Sequence, residues 1–155
     1  MVGIVLVEPE IPQNTGNIIR LAANTGSSLH LIEPLGFQPE DKKMRRAGLD
    51  YHEFATITIH AGWQNFKENI GEHRHLFGFS TKGSKSYSSI NFKVDDFIVF
   101  GSETRGLPDH VREDIGKENM YRIPMKPDSR SLNLSNAVAI AIYQAWQQDQ
   151  FSGGS

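Results

Sequence analysis

Three stretches of this sequence gather hydroxyl, amide or charged side chains directly after short apolar runs, the first two of them with glycine. They are Phe79-Ser-Thr-Lys-Gly83, Gly101-Ser-Glu-Thr-Arg-Gly106 and Ile123-Pro-Met-Lys-Pro-Asp-Ser-Arg-Ser-Leu-Asn-Leu-Ser-Asn136. Open α/β sheets take their ligands at the carboxyl ends of strands, so loops of this kind could frame a small-molecule cleft. The third is long for a strand-to-helix connection, and long structured loops are more often functional than idle. Its composition fits equally an elaborate helix cap, with Ser131, Asn133 or Ser135 accepting from free backbone N–H groups.

Further polar groups lie outside these loops. Asn14-x-Gly16-x-x-x-Arg20 puts an amide at a helix start and a guanidinium six residues on. At about 100° per residue the two lie about 120° apart if Asn14 is inside the helix. If Asn14 is a non-helical cap, its side chain can turn inward while Arg20 projects toward a cleft or a second subunit. Glu103 is either the partner of Arg105 in a surface ion pair or a carboxylate at a cleft floor, orienting a substrate or Arg20. Lys42, Lys43, Arg45 and Arg46 form the one dense basic cluster, read as a solvated helix face or as a phosphate contact.

Several chemistries find no motif here. No G-x-G-x-x-G follows a strand, and neither H-E-x-x-H nor G-x-S-x-G occurs. Gly78-Phe-Ser-Thr-Lys-Gly-Ser-Lys85 imitates a phosphate loop but reverses the final Lys-then-hydroxyl order that such a loop needs. The six histidines, His30, His52, His60, His73, His75 and His110, show no ligand spacing, so no metal site is expected. Zero cysteines exclude a disulfide framework, a thiolate zinc site and a Cys nucleophile, and suit a reducing compartment.

The elements that must position these groups follow from periodicity. Apolar, β-branched runs recur at Val2–Val7, Leu29–Ile32, Phe54–Ile59, Leu76–Phe79, Phe97–Phe100 and Met120–Ile123, separated mostly by helix-like stretches. Phe97-Ile-Val-Phe100 shows no alternation, as expected of a strand covered on both faces, so the reading is an α/β fold with a mostly parallel sheet and helices on both sides. Helices are expected from Asn14 to about Gly26, over 41–48, over 62–70, and from about Ser135 to Gln148. The last is apolar all round from Ala137 to Ile142, with one side for the sheet and the other for a second subunit.

At 155 residues, with 38% hydrophobic and 22% charged residues, the chain suits one domain over 1–150 with a single core; 151–155 is expected to fray. Sixteen Lys+Arg against 18 Asp+Glu leave a net charge of −2, so a nucleic-acid surface would have to be local. The apolar N-terminal run is too short for a signal peptide and lacks its basic flank, which reads as a strand of a cytoplasmic protein.

Four stretches occur together in one order: Pro9-Glu-Ile-Pro-Gln-Asn-Thr-Gly-Asn-Ile-Ile-Arg20, Arg46-Ala-Gly-Leu-Asp-Tyr-His52, Phe100-Gly-Ser-Glu-Thr-Arg-Gly-Leu-Pro108, and Ile123-Pro-Met through Ser131-Leu-Asn-Leu-Ser-Asn-Ala137. In this the chain resembles the YibK-like tRNA 2′-O-methyltransferases of the SpoU branch of the SPOUT superfamily, over nearly its whole length. The resemblance implies a parallel α/β domain with a C-terminal deep trefoil knot, an exception to unthreaded connections, and a homodimer. It implies S-adenosylmethionine as methyl donor and S-adenosylhomocysteine as product, with Phe79, Gly101, Ile123 and Ser131 at the cofactor and Asn14, Arg20, Glu103 and Asn133 at the acceptor side. Its closest subgroup methylates the ribose of wobble nucleotide 34, cytidine or modified uridine, in leucine tRNAs. The 155 residues leave out the extra N-terminal RNA-binding domain of several SpoU-branch enzymes, so the dimer itself would grip tRNA, with Lys42, Arg45 and Arg46 as candidate contacts.

A guanidinium keeps its proton at neutral pH, so Arg20 is read as a clamp on a neighbouring phosphate and a stabiliser of the developing alkoxide, with the proton passing to phosphate or water. Competing readings are another 2′-O-methylation target, a non-catalytic RNA-binding or ribosome-associated module that keeps the fold, and a flavodoxin-like enzyme using the same strand ends.

Overall fold

The computed structural model describes residues 1–46, 57–72 and 74–155. Among them, seven strands form one sheet: β1 (Gly3–Val7), β2 (Leu29–Ile32), β3 (Ile57–His60), β4 (Leu76–Phe79), β5 (Lys85–Ser86), β6 (Phe97–Phe100) and β7 (Met120–Arg122). The order is β3-β2-β1-β6-β4-β7-β5, and every pairing is parallel. The helices are α1 (Pro12–Thr25), α2 (Lys42–Arg46), α3 (Trp63–Ile70), α4 (Asp109–Ile115) and α5 (Leu134–Gln148). Residues 54–56 of the third expected strand, 47–48 of the second helix, most of the Arg46–His52 motif, and His52 and His73 lie outside the described residues.

The non-alternating strands are explained by where their side chains go. Ile4, Leu6, Ile98 and Phe100 point to one layer with Ile18, Ile19, Met44, Val138 and Ile142 of α1, α2 and α5. Val5, Val7, Phe97 and Val99 point to the other, with Trp63, Phe66, Val111 and Ile115 of α3 and α4. Both pleat directions are buried, so both must be apolar. The single core expected from length is thus split by the sheet into two layers.

α1 starts earlier than the sequence suggests, because Pro12 supplies a ready-made φ in the first turn. It ends at Gly26, whose φ of +72° closes the helix with an N–H bond to Ala22 O. α4 and β5 were not anticipated: α4 has seven residues with only Val111 and Ile115 buried, too short for a period to register, though Pro108 and Gly116 bracket it. α5 buries Leu134, Val138, Ala141, Ile142 and Ala145, while Ile140 (37% exposed) and Tyr143 (43%) face outward. Residues 151–155, expected to fray, are exposed but turn back on α5, where Trp146 Nε1 donates to Ser152 O at 3.0 Å and the Phe151 ring meets Trp146 edge-on.

Beneath α3, His30 on β2 and His60 on β3 form a directed chain. Asn69 Nδ2 lies 3.2 Å from His60 Nδ1, His60 Nε2 lies 2.9 Å from His30 Nδ1, and His30 Nε2 lies 3.3 Å from Ser28 Oγ. Phe66 and Phe97 pack edge-on to the His30 ring.

Candidate functional site

Four adjacent strands, β1, β6, β4 and β7, deliver α1 and the three polar loops to one edge of the sheet. Between them lies a cleft of about 610 Å³ lined by Phe79–Lys82, Gly101–Leu107 and Ser131–Leu134, with Ile11 and Asn14 from the start of α1. That volume suits a cofactor-sized ligand. One end is an apolar pocket where the Phe79 and Phe100 rings stack at 4.7 Å, walled by Ile123, Met125, Leu132 and Ala137 and edged by the hydroxyls of Ser80, Thr81 and Ser131. Phe79, Ile123 and Ser131 therefore border the pocket, and Gly101 borders the wider cleft.

Gly101 has no room for a side chain. A Cβ there would sit 2.0 Å from the Gly106 carbonyl carbon and 2.1 Å from Leu107 N. The loop closes on itself through reciprocal backbone bonds between Ser102 and Gly106, at 3.3 and 3.0 Å. β7 ends at Arg122, so Ile123 opens the third loop.

Asn14 is inside α1, whose cap position is Ile11, and is only 6% exposed. Its Oδ1 accepts from Asn133 Nδ2 at 3.0 Å. Asn133 is the N-cap of α5: its Oδ1 accepts from the Ser135 N–H at 3.0 Å, the Ser135 hydroxyl at 2.6 Å and the Asn136 N–H at 3.4 Å. The capping reading of the third loop and its place in the cleft are therefore both present, in one residue.

Glu103 does not pair with Arg105. Its two oxygens accept from the backbone N–H groups of Glu10 (3.1 Å) and Ile11 (2.5 Å), just ahead of α1. Arg105 instead lies 3.8 Å from Glu10, whose carboxylate also accepts from Thr104 Oγ1 at 2.6 Å. Hydrogen bonds from Thr104 and Ser102 hold the Glu10 carboxyl below its usual range.

Arg20 is not brought to the cleft within this chain. It lies on the exposed face of α1 with Gln13 and Asn17, away from Asn14 as the helical phase requires, and has no partner among the described residues. Lys42, Lys43, Arg45 and Arg46 are exposed on α2, which is anchored by buried Met44 and started by Asp41, whose carboxylate accepts from Lys43 N–H at 2.7 Å. Among the described residues no three His, Asp or Glu side chains cluster so as to hold a metal ion, and no helix is long and apolar enough to cross a membrane. Sequence reasoning missed Phe100, Met125 and Leu132 as lining residues. Phe100 was accessible to it, since parallel strands ending together put Phe79 and Phe100 in register.

Residues 1–143 match the SpoU rRNA methylase family. The chain belongs to that family. Among SpoU relatives, a protein of Photorhabdus asymbiotica described as tRNA (cytidine(34)-2′-O)-methyltransferase is 53% identical over 157 residues, 99% of this chain and 97% of that one. A solved structure described as giving insights into 2-OH methylation of C/U34 on tRNA superposes with a TM-score of 0.89 at 41% identity, covering 97% of each chain. An AdoMet-bound rRNA methyltransferase from Sinorhizobium meliloti superposes with a TM-score of 0.80 at 25% identity, covering 94% of this chain and 56% of that one.

Proposed function

We propose that this SpoU-family chain is a tRNA (cytidine(34)-2′-O)-methyltransferase that moves a methyl group from S-adenosylmethionine to the ribose 2′-hydroxyl of the wobble nucleotide. The observation that carries this is 53% identity over 99% of the chain to the Photorhabdus enzyme of that description, in a molecule whose four adjacent strand ends open on one cleft. The motif resemblance extends the reading to leucine tRNAs with cytidine or modified uridine at position 34, and to action in the cytoplasm.

The donor's chemistry suits the residues present. The stacked Phe79–Phe100 pair with Ile123 and Leu132 offers apolar surface for a purine, and a donor without a diphosphate needs no glycine-rich phosphate loop. S-adenosylmethionine, when bound, supplies a methyl on sulfonium that the 2′-oxygen takes while the C–S electron pair stays with sulfur and the hydroxyl proton leaves to phosphate or water.

The chain's residues orient and stabilise. Asn14, nearly buried at the cleft wall, presents its amide to the acceptor side. Arg20 stays protonated, clamps a phosphate beside the acceptor ribose and stabilises negative charge developing on the 2′-oxygen. Because Arg20 is turned out of its own cleft, the site is completed in a homodimer, for which the outward Ile140 and Tyr143 of neighbouring α5 supply apolar contact. The basic face of α2 meets the RNA backbone through Lys42, Arg45 and Arg46.

The proposal includes a deep trefoil knot in the C-terminal part. It is supported by the insertion of β6 between β1 and β4 and of β7 between β4 and β5, and by the close passage of two distant segments, where a Cβ on Gly83 would sit 2.3 Å from the Tyr121 carbonyl carbon. Calorimetry tests the donor site: S-adenosylhomocysteine should bind at one per chain, and no detectable binding would remove the cofactor from this reading.

A further inference from the structure

Two side chains from different cleft loops hold the first turn of α1. A helix start leaves backbone donors without partners, and the residue at the cap position of α1 is Ile11, whose side chain cannot accept. Pro12 has no N–H to offer. Glu103, 92 positions further along the chain, takes the N–H groups of Ile11 and Glu10, the service a capping-box glutamate gives to its own helix. Asn133, from the third loop, spends its Oδ1 on the start of α5, which turns its Nδ2 onto Asn14 Oδ1. Both oxygens of Glu103 and both ends of the Asn133 amide are therefore engaged within the protein.

Both residues also line the cleft. A ligand that fixes the second and third loops fixes the two grips on α1, and α1 carries Asn14 and Arg20. We propose that Glu103 and Asn133 are positioning residues that couple filling of the methyl-donor site to the pose of α1, and so to RNA binding. This rests on the donor and RNA roles given above. When the donor has already ordered the loops, RNA no longer bears the cost of ordering α1, so the two ligands reinforce each other. Linkage makes the effect reciprocal.

The test uses the full chain, S-adenosylhomocysteine and an anticodon stem-loop RNA with cytidine at position 34. Saturating S-adenosylhomocysteine should tighten RNA binding to the wild type about tenfold, and saturating RNA should tighten S-adenosylhomocysteine binding by the same factor. Glu103→Gln keeps the shape but turns an amide donor against a backbone donor. Asn133→Ser keeps an N-cap oxygen for α5 while losing reach to Asn14, so it stands if Glu103→Gln fails to fold. Each should bind S-adenosylhomocysteine alone within about threefold of wild type yet show coupling below about twofold, a readout that a merely stabilising contact would not move. Wild-type coupling retained in a folded variant overturns the proposal, as does a wild-type factor near one while both ligands bind. Failure of the wild type to bind S-adenosylhomocysteine would overturn the donor reading and this proposal with it.

Discussion

The His30–His60 pair makes the stability of this fold depend on pH in a calculable way. Asn69 Nδ2 can only donate to His60 Nδ1, so His60 carries its proton on Nε2, gives it to His30 Nδ1, and leaves His30 Nε2–H for Ser28 Oγ. No nitrogen in that chain has room for a second proton without setting donor against donor. Burial, then the neighbouring His60 ring, pushes the His30 imidazole down from 6.5 to about 4, and burial lowers His60 as well. A folded-state value below the unfolded one means that the unfolded chain binds more protons between pH 4 and 6.5. The contribution is therefore intact above about 6.5 and lost as pH falls toward 4. At about 1.36 kcal/mol per pH unit the loss is about 3 kcal/mol, reduced to about 2 kcal/mol by solvent screening of a half-buried ring. Urea unfolding at pH 7.5, 5.5 and 4.5 should show this fall in the wild type. It should be largely absent in His30→Asn, whose amide oxygen can stand in for Nδ1. Equal pH slopes in the two proteins would refute the reasoning.

Three substitutions probe the site. Arg20→Ala should lower methyl transfer at least about a hundredfold while leaving S-adenosylhomocysteine affinity within about twofold, and Arg20→Lys should rescue poorly because a point charge replaces a fork; single-turnover assays and calorimetry check both. Gly101→Ala forces a Cβ into the Gly106–Leu107 backbone, so donor binding should vanish and the melting temperature should drop by several degrees, as calorimetry and thermal scans would show. Ile140→Glu places a charge on the outward face of α5 and should shift the protein to monomer in sedimentation experiments, with methyl transfer lost alongside.

Much of this arrangement was legible in the chain because it is local. Phe97–Phe100 announces a doubly covered strand, and Gly26 the end of α1. The three loops could be seen as candidates because each follows an apolar run. What could not be read is what depends on distant chain meeting in space. Glu103 reaches Glu10 and Ile11 across more than 90 positions, and Asn133 reaches Asn14 across 119, with no periodicity to announce either. The local expectation for Glu103, a pair with Arg105 two residues away, failed because unpaired backbone donors ahead of Pro12 need a carboxylate more than an exposed guanidinium does. Arg20 shows the converse, since helical phase alone separates it from Asn14 and its position in the fold keeps that separation.

The central claim is that this cleft transfers a methyl group to one ribose hydroxyl of tRNA. Incubation of the purified chain with methyl-labelled S-adenosylmethionine and tRNA lacking the modification, followed by nucleoside mapping, tests it most directly. Label should appear as a 2′-O-methyl group on nucleotide 34 and nowhere else. Label on a base, at another position, or absent altogether while the donor binds would contradict it.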